Sequence, residues 1–323
     1  MIGNFGKKNS TNYLLLLLYA ILLKANLFVV PLQKITNNGD GYLYTKLIDL
    51  LNLQNNKILV ALLSIVLLYT QALQISSIIN RNKLVQKYSL YAAMSYLLIT
   101  SLLLGGNGFS AAMVANSLLL YGFNLLLNLQ NTTSAKQLLF SIGITISFIT
   151  LLYNYSFAYM LVAIIALSLY RTFKLHEYAI LIVGYGVPFY FLYSIQYLTN
   201  HVAVQKFGFN WKIVLPKLEY FNWWLLGISI IGGLTILGLL TVQNQSGKMN
   251  IQARKSWKLF FVYILVSIIM AILANNYAAY ITLLVPAAAF IGAFFTYVNN
   301  TIVKTITHWV VFTLAILVVY FLT

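Results

Sequence analysis

The fold is constrained most by a series of long apolar runs that contain no Asp or Glu. They lie near residues 13–31, 58–79, 89–105, 110–128, 138–153, 156–170, 178–199, 222–242, 259–274, 277–297 and 306–322. A hydrocarbon core of about 30 Å needs roughly 20 apolar residues per helix, and only helices or closed barrels satisfy the backbone inside it. Continuous runs of this kind are helices, because barrel strands alternate apolar and polar residues in segments of about ten. The expected fold is all-α: a polytopic helical bundle of about eleven spans, forming one transmembrane domain over residues 1–323. The short, uncharged hairpins at Gly105-Gly106-Asn107-Gly108 and Asn275-Asn276 leave the count between ten and twelve. Composition agrees, with 61% hydrophobic and 7% charged residues, whereas soluble domains carry about 25% charged residues.

Orientation follows from the loops that hold Lys and Arg. With the N-terminus inside, thirteen basic residues fall on the inner side: Lys7, Lys8, Arg81, Lys83, Lys87, Lys136, Arg171, Lys174, Lys248, Arg254, Lys255, Lys258 and Lys304. The outer loops hold six, namely Lys34, Lys46, Lys57, Lys206, Lys212 and Lys217. Trp223-Trp224 open the eighth span at the outer face, and Trp257 and Trp309 mark inner ends, as an aromatic belt requires. The first apolar run is too long for a signal-peptide core and is expected to stay as an anchor. A net charge of +16 is spread one or two residues at a time beside the spans, which suits topology and anionic lipid rather than nucleic acid. The expected location is the inner membrane of a bacterium, with membrane lipids as partners, further membrane proteins as candidates, and no nucleic acid.

Absences exclude several function classes. Without cysteine there are no disulfides or thiolate metal sites. Three dispersed histidines, His176, His201 and His308, do not make an iron oxygenase. No phosphate-binding G-x-x-x-x-G-K-[ST] loop occurs. Ion-coupled carriers place a carboxylate in the bilayer to mark the ion path, and here no span has one. The four carboxylates are Asp40, Asp49, Glu177 and Glu219, and all lie in loops or beside basic residues.

The one charge inside a span is Lys24. An unpaired lysine at the bilayer centre costs about 2.5–3.5 kcal/mol on insertion scales. Either its stem snorkels toward the outer headgroups, or it faces a wet cavity and meets an anion such as a lipid phosphate, Asp40 or Asp49. In the loop that follows, Leu43, Leu47, Leu50 and Leu51 recur at helical spacing with Thr45, Lys46, Asp49 and Asn52 opposite. This predicts a short amphipathic helix on the outer leaflet, with Asp40 as its N-cap and Asp49 paired to Lys46. Gly184, Gly186 and Pro188 interrupt the seventh span around Tyr185, which reads as a kink or as a cavity wall. Pro286 in the tenth span is treated alike. The loop 200–221 carries His201, Lys206, Lys212, Lys217 and Glu219 among aromatics, and it either caps a cavity or re-enters the interface.

A first span, an outer loop with a carboxylate and then a surface helix resemble the start of GT-C glycosyltransferases over about the first 80 residues. That resemblance implies a sugar transfer from a polyprenyl-phosphate donor, with Asp40, or less readily Asp49, as the base on the acceptor hydroxyl. Lys24, Lys34, His201 or Lys206 would then hold a phosphate, and a divalent cation enters only on that reading. No other cofactor is expected. The chain lacks the adjacent acidic pair and the soluble outer domain of those enzymes. The chain as a whole is similar to an uncharacterised family of polytopic inner-membrane proteins of Bacteroidota. The likeness rests on Met1-Ile2-Gly3-Asn4-Phe5, on Gln74-Ile75-Ser76-Ser77-Ile78-Ile79-Asn80-Arg81 and on the aromatic seventh span. Outer-face polysaccharide polymerases use arginines in outer loops, whereas Arg81, Arg171 and Arg254 are all placed inside. Three readings stay open: an envelope-biogenesis protein handling a lipid-linked saccharide or lipid at the outer face, a non-catalytic membrane subunit or scaffold, and a carrier for an uncharged or lipid substrate.

Overall fold

The computed structural model describes residues 2–6, 9–29, 36–37, 39–103, 108–132, 135–199, 221–274 and 276–321. Among them the chain forms thirteen α-helices and no strand. They are α1 (Ile2–Phe5), α2 (Ser10–Lys24), α3 (Tyr42–Leu50), α4 (Lys57–Arg81), α5 (Tyr91–Leu102), α6 (Ala111–Asn128), α7 (Lys136–Leu152), α8 (Tyr159–Tyr170), α9 (Leu175–Leu198), α10 (Phe221–Gln245), α11 (Ile251–Ala274), α12 (Tyr280–Tyr297) and α13 (Thr301–Phe321). Eight of these, some with a 3₁₀ turn added, are long and apolar enough to cross a membrane. The helical stretches Tyr91–Leu102, Lys136–Leu152 and Asn154–Tyr170 are apolar but shorter. At 1.5 Å per residue α5 is only about 18 Å long.

The short helix α5 lies at the centre, and every one of its residues is buried. A helix that is apolar all round is stable only when neighbours cover it on all sides. Here α12, α4, α13 and α2 do so. Small residues let them approach: a Cβ on Gly292 of α12 would fall 2.6 Å from Ala92 Cα of α5. Gln71 of α4 is fully buried and satisfied, accepting from Tyr96 Oη at 2.6 Å and donating to Met113 O at 2.7 Å and Ser117 Oγ at 2.8 Å. One glutamine thereby ties α4, α5 and α6 together, which is how a buried amide avoids its desolvation cost.

The helix ends gather into two clusters. At one end Leu90 N–H donates to Phe5 O, Trp257 Nε1 donates to Leu84 O, Gln130 Nε2 donates to Ser256 Oγ, and Arg171 binds Glu177 at 3.0 Å and Thr132 O at 2.7 Å. Arg81, Lys83, Lys87, Lys136, Lys174, Lys248, Arg254, Lys255 and Lys304 border these hairpins. The opposite end carries the turns at 29, 39–56, 108–110, 153–158 and 276–279. Of the described basic residues only Lys46 and Lys57 stand there, and Lys57 Nζ donates to Val29 O at 2.8 Å.

Helix α9 packs almost wholly on α7. The two backbones touch where Gly143 and Gly184 cross: a Cβ on Gly143 would lie 2.4 Å from Leu181 O, and one on Gly184 would lie 2.6 Å from Phe140 O. Gly184 is therefore a packing residue. Pro188 sits buried within a helix that runs on from Leu175 to Leu198, Tyr185 Oη reaches Thr150 Oγ1 at 3.5 Å, and Gly186 faces open space.

Candidate functional site

Asp40 is built into the second end cluster by backbone, not by its side chain. Gly41 N–H donates to Leu152 O and Asn154 N–H donates to Gly39 O, both at 2.9 Å, which makes Asp40 and Tyr153 an isolated antiparallel bridge. The bonds flank the pair rather than join it, and in that geometry the two facing residues approach most closely, with side chains on the same side. Sequence demands this route. Gly39 has φ +103°, and a Cβ there would lie 2.3 Å from Tyr155 Cε2, so glycine suits both the conformation and the close approach.

The Asp40 carboxylate accepts Asn37 N–H at 2.7 Å, while Asn154 Nδ2 donates to Asp40 O at 3.4 Å. Partial burial pushes the carboxyl from its ordinary value up to about 6, and the Asn37 hydrogen bond acts the other way. Tyr44, fully buried and stacked on Phe109 at 5.9 Å, has its phenol raised first by burial and then by the nearby Asp40 charge. Tyr153 is also buried, within electrostatic range of Asp40, and its hydroxyl has no hydrogen-bond partner among the described residues. A carboxyl raised to about 6 is ionised at neutral pH and can accept a proton from a hydroxyl brought within hydrogen-bond reach.

Several expectations are corrected here. Asp40 does not cap α3: the N-cap is Gly41, with no side-chain cap bond, because the carboxylate turns back to Asn37. The buried face of α3 is Tyr44 and Ile48, with Leu53 just beyond, whereas Leu50 is 83% exposed. Leu43 and Leu47 pack partly against the same core, and Tyr44 stacks on Phe109, so α3 docks on protein. Asp49 is exposed and makes no ion pair with Lys46, whose ammonium lies 5.8 Å from the Tyr42 ring centroid. The single ion pair among the described residues is Arg171–Glu177.

Lys24 does not snorkel. Its side chain is buried inside the bundle and donates from Nζ to Thr100 Oγ1 of α5 at 3.0 Å, and no ion pair joins it to Asp40 or Asp49. Lys34, His201 and Lys206 lie outside the described residues. No group of three or more His, Cys, Asp or Glu able to hold a metal ion occurs among the described residues. The residues that sequence reasoning missed are Tyr44, Tyr153 and Asn154. Their only signal was a polar Tyr-Asn-Tyr-Ser run, read as a boundary between two spans. No family model, no curated protein and no solved structure matches this chain.

Proposed function

We propose that the chain is a multi-pass protein of the bacterial inner membrane whose eight long and three shorter apolar helices all cross the bilayer. On this reading the basic end faces the cytoplasm and the Asp40 end faces outward. There the protein handles a lipid-linked saccharide or lipid in envelope biogenesis, with Asp40 as the general base on an acceptor hydroxyl and Lys34 toward a donor phosphate. The observation that carries the reading is the placement of Asp40. Glycines on both sides thread it against Tyr153, burial raises it to about 6, and phenols flank it. A loop carboxylate serving topology alone has no need of this seat.

A general base typically contributes 10²–10⁴-fold, so Asp40→Asn is expected to abolish complementation of a deletion while protein abundance in the membrane stays normal. Asp49→Asn should complement. The base acts ionised and is protonated below about pH 6, so activity in isolated membranes should rise with pH, reach half its plateau near 6 and stay flat to pH 8. If Asp40→Asn complements fully, the catalytic reading fails. The alternative is then a non-catalytic membrane subunit. It is favoured by α9, which leans almost wholly on α7 and leaves Tyr190, Tyr193 and Tyr197 on an exposed stripe.

A further inference from the structure

At the basic end of the bundle the segment before α5 folds back beside the start of α13. Leu90 N–H donates to Phe5 O at 2.7 Å, and Ser89 Oγ lies 3.2 Å from Thr296 Oγ1 in the last turn of α12. This seat fixes Tyr91, and Lys304 in the first turn of α13 reaches over its ring, 5.6 Å from the centroid. Lys87, just before the same hydrogen bonds, comes within electrostatic range of Lys304. Lys304 is half-buried and Lys87 is exposed.

Two ammonium groups held together repel, and an aromatic face under one of them offsets only part of that. Among the described residues no carboxylate answers them: Asp40 and Asp49 stand at the opposite end, and Glu177 is bound to Arg171 at 3.0 Å. What suits the pair is an anion supplied from outside the chain, and phosphate oxygens are strong acceptors for ammonium donors. The surface beside the lysines narrows its source. Tyr88, next to Lys87, is hydrogen-bonded through its hydroxyl to that of Tyr13 on α2. From there α2 turns Leu14, Leu18 and Ile21 outward, 64%, 56% and 43% exposed, at the i, i+4, i+7 spacing of one helix face. A free phosphate has no use for that stripe, whereas acyl chains lie along it with their headgroup at the lysines.

We propose that Lys87 and Lys304 together bind the phosphate of an anionic phospholipid headgroup whose acyl chains run along α2. The site needs only that the protein sits in a bilayer, and it stands apart from Asp40 at the other end. Lys255 and Lys258 of α11 provide the comparison, because they belong to the same basic end and are likewise one half-buried and one exposed.

The full-length protein in detergent is titrated with phosphatidylglycerol or with phosphatidylcholine, which carries the same phosphate beside a balancing positive charge, and bound lipid is counted by native mass spectrometry. Phosphatidylglycerol is expected to bind the more tightly. Lys87→Gln combined with Lys304→Gln should weaken it at least about tenfold, and Lys255→Gln combined with Lys258→Gln, the same change of charge, should leave it unchanged. Lys87→Arg combined with Lys304→Arg keeps both charges and should keep the lipid, which separates loss of charge from loss of folding. Equal weakening by the two Gln pairs, loss of the lipid in the Arg pair, equal binding of the two lipids, or displacement of phosphatidylglycerol by inorganic phosphate overturns the proposal. The readout is binding and not turnover. Loss of complementation in Asp40→Asn therefore stands or falls independently of it.

Discussion

Gly41→Val is expected to unseat the 39–53 segment from the turn at 151–155 and to remove any activity that depends on Asp40. A Cβ at this position falls 2.0 Å from Leu151 O and 2.8 Å from Leu152 C, and both are backbone atoms that cannot swing aside. The loop must lift, and the hydrogen bonds from Gly41 N–H to Leu152 O and from Asn154 N–H to Gly39 O lengthen with it. Each such bond is worth about 0.5–1.5 kcal/mol net, and the Tyr44 and Ile48 packing is weakened as well. Deuterium exchange at the backbone amides of position 41 and of Asn154 should therefore speed up by about 100-fold or more, while α5 stays protected. Asp40→Asn should leave the same amides unchanged, because that carboxylate contributes nothing to the bridge. Slow exchange at Asn154 in Gly41→Val would sink the claim that the glycine positions the site.

The second large effect is expected from Gly143→Leu. The α7–α9 contact is a backbone crossing in which an added Cβ lies 2.4 Å from Leu181 O and 2.7 Å from Tyr185 N. Overpacking costs typically 1–3 kcal/mol where side chains can move, and here only helix separation relieves it, so a loss of at least about 3 kcal/mol follows. Because α9 has little other support, it should detach, seen as proteolysis between α8 and α9 and a lower melting temperature in detergent. Gly186→Leu, two residues from the crossing, meets nothing within 4 Å and should behave as the parent protein. Equal stability of Gly143→Leu and Gly186→Leu would mean that the crossing is not what holds α9.

The helical class and the approximate position of the helices from α4 onward are legible in the apolar runs, because burial in hydrocarbon leaves a continuous, one-dimensional record along the chain; α11 departs most, starting at Ile251 where the run starts at 259. The grouping of basic residues at one end was legible for the same reason. Finer assignments failed where the partner was protein. In α3 the leucine spacing leaves out Tyr44 and Ile48, the two residues that the helix buries most fully against protein. Lys24 was weighed against headgroups and loop carboxylates, and it donates instead to the hydroxyl of Thr100, 76 residues away. The glycines on either side of Asp40 carry no local sign of the close approaches to Tyr155 and Leu151 that require them.

By itself, then, the sequence determined that the chain is a set of apolar helices with few carboxylates, two of which the structure places within helices, Asp49 in α3 and Glu177 in the first turn of α9. It also singled out Asp40 as the carboxylate to watch. Only the tertiary structure decided what surrounds that carboxylate. Tyr153 lies 113 residues further on, and nothing local to either segment encodes their pairing. Hydropathy reports how a residue meets solvent, which is a property of one position. A close approach between two backbones is a property of two, and it is visible only when both are in place.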